Sequence, residues 1–498
     1  LTFSKTEIER LKLVGLDPSV IASHKERVRM YLEGGQNPAF KVFDTCRPQN
    51  NLVIKNPGHF ESKGKGFVSF VPAAGAATRW HGPVDGLLVA LRANDSESIQ
   101  RARKELIDQG FRAFRLPGLL DDFVQNDLLS EHLSATQRQA LIDAIALPVA
   151  LYPATSDGRS FLGLKRVEHD SLNELTASVF VTAIGRSNDF KIEVQRLNET
   201  LNKETITHIL EQDASASTVR FNSQLEVCFE DDQLPSVVPA GHGALLEKLI
   251  SCRHHSGVHS AFIRNIDNVV GAGPIATAET QKFLGFHVWL KDCLDEIRAT
   301  LNKVNLHQAN ELALRVLSQL GLSNSLPFVS PIVRLAQCLF SAQIPAQASI
   351  DQLVSVYRKP LVTMGQVPNL GKDVGGSPVI AQVRDSDQKI CIELHHVSQK
   401  DRHRFFQDSQ VMTHFNPVFL AVELNDALSE FAQGDHDFWA VSEKNWRGEK
   451  VYFQESFLYE ILGNSLTSNL VFLEIPRLLF NPHKAMQTTG QKPLSEWM

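Results

Sequence analysis

The run Val71-Pro72-Ala73-Ala74-Gly75-Ala76-Ala77-Thr78-Arg79 holds the sharpest chemistry in the chain: tiny side chains in a row, closed by a hydroxyl and a guanidinium. Small residues let backbone N–H groups approach an anion, and a helix beginning there adds its dipole. Arg79 can then grip phosphate oxygens in pairs. The same loop also serves as a tight strand-to-helix turn with no ligand. It is neither G-x-G-x-x-G nor G-x-x-x-x-G-K-[ST], so neither the common dinucleotide fold nor a P-loop is indicated. Asp267, within Ile263-Arg264-Asn265-Ile266-Asp267-Asn268, offers a carboxylate at the end of a β-prone run. An aspartate there commonly shapes a turn or caps the next helix. His255 and His259 are four apart, but Gly257 intervenes and the glutamate of H-E-x-x-H is missing, which favours a solvated loop. In His395-His396 one ring at most points inward. His414 and Asn416, before Pro417, form a polar pair in apolar strand context, suited either to ligand contact or to buried hydrogen bonding.

The elements that must position these residues read as an α/β alternation. Gly64-Lys65-Gly66 is turn chemistry, and Phe67-Val68-Ser69-Phe70-Val71 is a β-prone run leading into the small-residue loop. Ser178 to Ala183 and Ala261 to Ile266 are further β-prone runs separated by helical pattern, which predicts a mostly parallel, helix-covered sheet. The stretch from Leu294 through Leu320 is strongly helical. Residues 1–62 read as an N-terminal helical segment, with Ser4 and Asp17-Pro18 as helix starts. Residues 63–350 form the α/β domain, and 351–498 a mixed or β-rich C-terminal region.

Composition narrows the class. The 498 residues carry 50 Lys plus Arg against 56 Asp plus Glu, a net charge of −6, with pI near 6.3. That balance offers no global attraction to nucleic acid or anionic lipid. Hydrophobic residues at 43% and charged residues at 21% describe an ordinary globular protein. No apolar stretch approaches the roughly 18 residues of a membrane helix, and Leu1 to Glu7 lack the features of a cleavable leader. The six cysteines are scattered without a C-x-x-C pair, as expected of reduced thiols in the cytoplasm.

Four segments in one order carry a resemblance. The loop at Ala73 to Arg79 resembles the L-A-x-G-x-G-T-R signature of sugar-nucleotide pyrophosphorylases, with Gly75, Thr78 and Arg79 in step. Phe221-Asn222-Ser223-Gln224 resembles, with one extra residue, the F-x-Q strand end whose glutamine reads uracil. Pro239-Ala240-Gly241-His242-Gly243-Ala244-Leu245 is similar to the P-x-G-[HN]-G-x-L loop whose glycines lie against the base. Asn265-Ile266-Asp267-Asn268 resembles the N-x-D-N strand end whose aspartate holds the catalytic magnesium. Nearly the whole chain also resembles a bacterial domain-of-unknown-function family. Marks of that family's C-terminal part are present in Gly365 to Pro378, with Gly375-Gly376, in Ser398 to Asp401 and in Thr413 to Val418.

The resemblance implies a GT-A-like, Rossmann-like nucleotidyltransferase sheet and transfer between UTP, or another nucleoside triphosphate, and a sugar 1-phosphate. It assigns Ala73, Ala74, Gly75, Ala76, Thr78, Gln224, Gly241, His242 and Gly243 to the nucleotide. Asn265, Gly375, Gly376, His414 and Asn416 fall to the sugar side, Arg79, Asp267 and Lys372 to catalysis, and Asp267 to Mg. One departure stands out. Relatives carry P-K-x-L-x-P, whereas Leu147-Pro148-Val149-Ala150-Leu151-Tyr152-Pro153 has valine in the lysine's place. Lys165, Arg166, Lys359 and Lys372 are the substitute cations that this reading offers. The same departure fits a nucleotide- or sugar-phosphate-binding protein that turns over weakly, and a glycosyltransferase using a nucleotide sugar would keep the same fold.

Overall fold

Alternating β-prone runs and amphipathic segments close into one large sheet. The computed structural model describes residues 3–482, apart from 35–36, 38, 56, 59, 61–65, 75–77, 110–117, 126–132, 156–157, 202–204, 231–232, 272, 324–325, 372–374, 407 and 433–438. The sheet's strands are β1 (Val53–Ile54), β2 (Phe67–Pro72), β3 (Leu175–Thr182), β4 (Thr207–Glu211), β5 (Ser260–Arg264), β6 (Leu361–Pro368), β7 (His414–Phe415), β8 (Phe419–Glu423) and β9 (Asn469–Glu474). Their order is β1-β9-β6-β8-β5-β2-β3-β4, with β7 added on β6. Only β7 and β8 run antiparallel to their neighbours. The carboxyl ends of the other seven strands therefore share one edge.

Continuous apolar runs such as Ser-Val-Phe-Val in β3 are what a strand covered on both faces requires. One face packs the helices Pro274–Asn302, Leu306–Gln319, Pro331–Phe340 and Ile350–Tyr357, through Phe283, Leu290, Val316 and Tyr357 against Phe262, Phe419 and Val471. The other carries a small antiparallel sheet, Lys41–Thr45, Ser377–Val383 and Ser386–Ile392, packed through Val379 and Ile390 on Met364 and Phe472. Strands from residues 1–62 and 351–498 thus enter the sheets of the middle segment, so the boundaries expected at 62 and 350 are not sheet boundaries. The helical stretch expected from Leu294 to Leu320 breaks at Lys303 to Asn305. Val304 takes φ +58° and Asn305 caps the second helix by accepting from Gln308 N.

Chain order sets where a ligand fits. From β2 the chain moves to β3 and β4 on one side, then returns to β5 on the other, making the β2/β5 boundary a topological switch point. In open α/β sheets ligands bind outside the carboxyl ends there. Among the described residues no helix is long and apolar enough to cross a membrane, and the six cysteines form no disulfide.

Candidate functional site

Both halves of the switch point are strand ends that the motifs occupy. β2 runs into Ala73 and Ala74, both buried, with Ala73 N–H donating to the Val181 carbonyl at 2.8 Å. Helix α1 (Thr78–Ala93) follows. Gly75, Ala76 and Lys372 lie outside the described residues, as do the side chains of Thr78 and Arg79. From β5 the chain passes through Asn265 and Asp267, both half-buried, to the buried Asn268.

Buried charge holds this second loop. Glu168, on helix α2 (Phe161–Asp170), accepts from Val270 N at 2.7 Å, Gly271 N at 3.2 Å, Lys165 Nζ at 3.1 Å and Arg264 Nη1 at 2.9 Å. Lys165 Nζ and Arg264 Nη2 both donate to the Asn268 carbonyl. On the far side Asn268 Oδ1 accepts from Asn481 N at 2.9 Å. Burial alone would raise the Glu168 carboxyl, but Arg264 and Lys165 outweigh it and hold it below the usual carboxylate range. Burial pushes Lys165 down to about 8. The loop backbone is thus fixed at Asn268, Val270 and Gly271, and the half-buried Asp267 lies close enough to Lys165 to favour the lysine's charged form.

The substitute cations fare differently. Lys165 is committed to Glu168 and Asn268. Arg166 is buried and bonded to Asp170 and Asn198. Lys359 precedes β6 at the opposite, amino edge, with Nζ on the Ser465 carbonyl at 2.9 Å. Each of these three already pairs within the protein, and Lys165 does so on the loop that leaves β5. Val149 itself is buried in an apolar cluster with Tyr152, Phe161 and Val269, which leaves that place without charge. Sequence reasoning passed over Arg159, immediately before α2, whose Nε and Nη1 are buried with no hydrogen-bond partner among the described residues. An arginine directly ahead of the N-cap Ser160 was the available signal.

Gln224, expected to read the base, is a surface residue. It sits in an exposed turn, its backbone N–H donating to Asn222 Oδ1 at 3.0 Å, while Phe221 bridges to Val227 and Tyr452 away from the sheet. The residue following a sheet strand is Gln212, directly after β4, buried, with its N–H on the Thr182 carbonyl at 2.8 Å. Its signal was a glutamine closing the run Thr207 to Glu211.

The glycine loop also has a local cause. A Cβ on Gly241 would collide with Ser456 O, and one on Gly243 would meet Phe457 N at 2.8 Å. Gly243 N–H donates to Ser456 O at 2.9 Å, and Ser456 N–H to the Ala240 carbonyl at 2.8 Å. His242 accepts from Leu458 N at 2.8 Å, with its ring edge-on to Phe457. Burial lowers its pKa to about 4, so it stays neutral and serves as an acceptor. This face of Gly241, His242 and Gly243 is covered by the protein's own chain rather than open to a base.

On the sugar side, His414 Nε2 pairs with Glu474 Oε2 at 2.9 Å, and Thr413 Oγ1 lies 2.8 Å from its Nδ1. Asn416 is buried with Nδ2 donating to the Gly365 carbonyl at 2.7 Å and Oδ1 accepting from Val418 N at 2.9 Å, so its amide holds backbone in place of a ligand. Gly375 is required because a Cβ would lie 2.7 Å from the Asn416 carbonyl, and Gly376 exchanges backbone bonds with Asn416. His396 is the inward ring of its pair, bonded to Glu460 and Trp439 O at 2.7 Å each. His255 stacks on His208. Among the described residues no group of three His, Cys, Asp or Glu side chains could hold a metal. Asp267 fits a magnesium only as one carboxylate, with phosphate and water supplying the rest.

Residues 173–489 match a family model described as "Domain of unknown function (DUF4301)". No curated protein matches the chain. A UDP-glucose pyrophosphorylase variant from Leishmania major, solved with UDP-glucose, is similar in structure with TM-score 0.51 and 13% identity. The alignment covers 97% of this chain and 78% of that one. A UDP-glucose phosphorylase from Trypanosoma brucei aligns with TM-score 0.49 and 12% identity, over 96% of this chain and 75% of that one. At such identity the Leishmania likeness shows the fold: the mostly parallel sheet is that of the pyrophosphorylase-type nucleotidyltransferases.

Proposed function

The chain belongs to the DUF4301 family, and from that premise we propose that it is a nucleotidyltransferase, joining a sugar 1-phosphate to UTP or another nucleoside triphosphate with release of pyrophosphate. The observation that carries this reading is the Asn265 to Gly271 loop. It leaves β5 at the switch point with its backbone locked by Glu168, Lys165 and Arg264, and it carries the half-buried Asp267 beside them. A sugar phosphate is already an anion, so attack on the α-phosphorus needs no general base. The protein's part is positioning and charge neutralisation. Backbone N–H groups after β2 and Arg79 would hold the triphosphate, Asp267 would hold magnesium, and Gln212 at the end of β4 would face the base. Magnesium, when bound, would neutralise phosphate charge. Arg159 is the cation offered in place of the lysine that Val149 replaces.

A second reading, nucleotide binding with little turnover, is favoured by the apolar packing of Val149. Pyrophosphate release across nucleoside triphosphates and sugar 1-phosphates with Mg²⁺, beside UTP calorimetry, separates the two. We expect release with at least one pair, and a loss of orders of magnitude in Asp267→Asn. UTP binding without release selects the second reading, and no UTP binding rejects both.

A further inference from the structure

Gln366 lies near the carboxyl end of β6, fully buried, and among the described residues neither its side-chain oxygen nor its nitrogen has a hydrogen-bond partner. A primary amide has two donors and an acceptor, and leaving all of them unmet in a core works against folding, where methionine or leucine would not. Two polar neighbours are paired. Asn416 is bonded to backbone, and His414 to Thr413 and Glu474. Glu474 stands beside Gln366 in parallel register, and His414 pairs with Pro368, two residues on, so the three side chains share one face at the carboxyl edge. Glu474 is also 3.5 Å from Lys55 Nζ, on the exposed rim.

The chemistry of this corner selects a ligand class. A carboxylate at the rim disfavours phosphate. An unpaired amide offers a donor and an acceptor side by side, which a hydroxyl, itself donor and acceptor, satisfies. We propose that Gln366 reads a hydroxyl of the neutral polyol part of the acceptor, the glycosyl group of a sugar phosphate, with the His414–Glu474 pair as the wall beside it. This rests on the nucleotidyltransferase reading, in which the phosphates lie at β2 and β5 and the sugar extends along the edge toward β6. Gln366 is thereby a specificity residue that touches no reacting atom.

The test is calorimetry on wild type and Gln366→Met. The ligands are UTP alone, then glucose 1-phosphate, galactose 1-phosphate, N-acetylglucosamine 1-phosphate and the monodeoxy glucose 1-phosphates, each with and without saturating UTP. Thermal melting runs alongside. The expected result is a variant that melts at or above the wild-type temperature and binds UTP within twofold. Its affinity for the preferred sugar phosphate should fall about tenfold, as for a lost neutral hydrogen-bond pair. The monodeoxy series on wild type alone provides the same test if the variant fails to fold: one deoxygenated position, and no other, should lose about tenfold. Equal binding by variant and wild type, or a flat deoxy series, overturns the proposal and leaves an internal water as the amide's partner. UTP binding with no sugar phosphate bound overturns it while the nucleotide reading stands. Sugar-phosphate binding that depends on Gln366 without any UTP binding supports the subsite and rejects the nucleotidyltransferase reading.

Discussion

Two loops that share a place in the motif order are built on opposite plans. The Asn265 to Gly271 loop is supported from below by Glu168, Lys165 and Arg264, and its own carboxylate, Asp267, is half-buried. The Gly241 to Gly243 loop is covered from above: Ser456, Phe457 and Leu458 lie directly on it. Charge beneath a loop fixes backbone and leaves the rim for a ligand. Backbone pressed onto a loop uses the missing Cβ atoms for the fold's own closure.

The sharpest way to break the first half of that contrast is Glu168→Leu. It removes four accepted hydrogen bonds and leaves Lys165 and Arg264 buried with no carboxylate. Breaking a buried ion pair from one side typically costs about 3–5 kcal/mol. Urea denaturation should show a loss of that size, with magnesium-dependent UTP affinity falling in whatever folded protein remains. A loss below about 1 kcal/mol would mean that the cluster does not hold the loop.

How much of this was legible in the sequence depends on the type of signal. β-prone runs separated by helical pattern carry the parallel sheet, because period and composition are local. Asp267 was placed at a strand end for the same reason. The triad beneath it was not legible, since Lys165 and Glu168 sit about a hundred residues from Arg264 and Asn268, and Lys165 reads from the sequence as a cation for phosphate. The glycines at 241 and 243 were legible as close approach but not as approach to what, because a ligand and a neighbouring backbone demand the same absent Cβ. Gln366 was not singled out at all: an isolated glutamine in a strand looks like an edge residue until its burial is seen.

Gly243→Ala tests the second half of the contrast. Its new methyl would lie 2.7 Å from Ser456 Oγ and 2.8 Å from Phe457 N. Overpacking of that kind costs about 1–3 kcal/mol. The melting temperature should fall, while UTP affinity measured well below the melt stays within twofold. A variant that melts like wild type but loses UTP would return this loop to the nucleotide.

The smallest effect is expected at Gln224. Its side chain is exposed and its place in the turn is held by a backbone N–H on Asn222. Substitutions at such surface sites change stability by no more than about 0.5 kcal/mol. Gln224→Ala should therefore leave the melt and the preference among UTP, CTP and ATP unchanged. Gln212→Ala is the matched comparison, because Gln212 is buried after β4 and its Nε2 donates to the Ala216 carbonyl at 3.2 Å. Losing that bond costs about 1 kcal/mol. If Gln212 faces the base, the nucleotide preference narrows in this variant alone. A narrowing at Gln224 instead would place the base against the Phe221 to Val227 turn, beyond the sheet's carboxyl edge, and would overturn the assignment of the switch point as the nucleotide site.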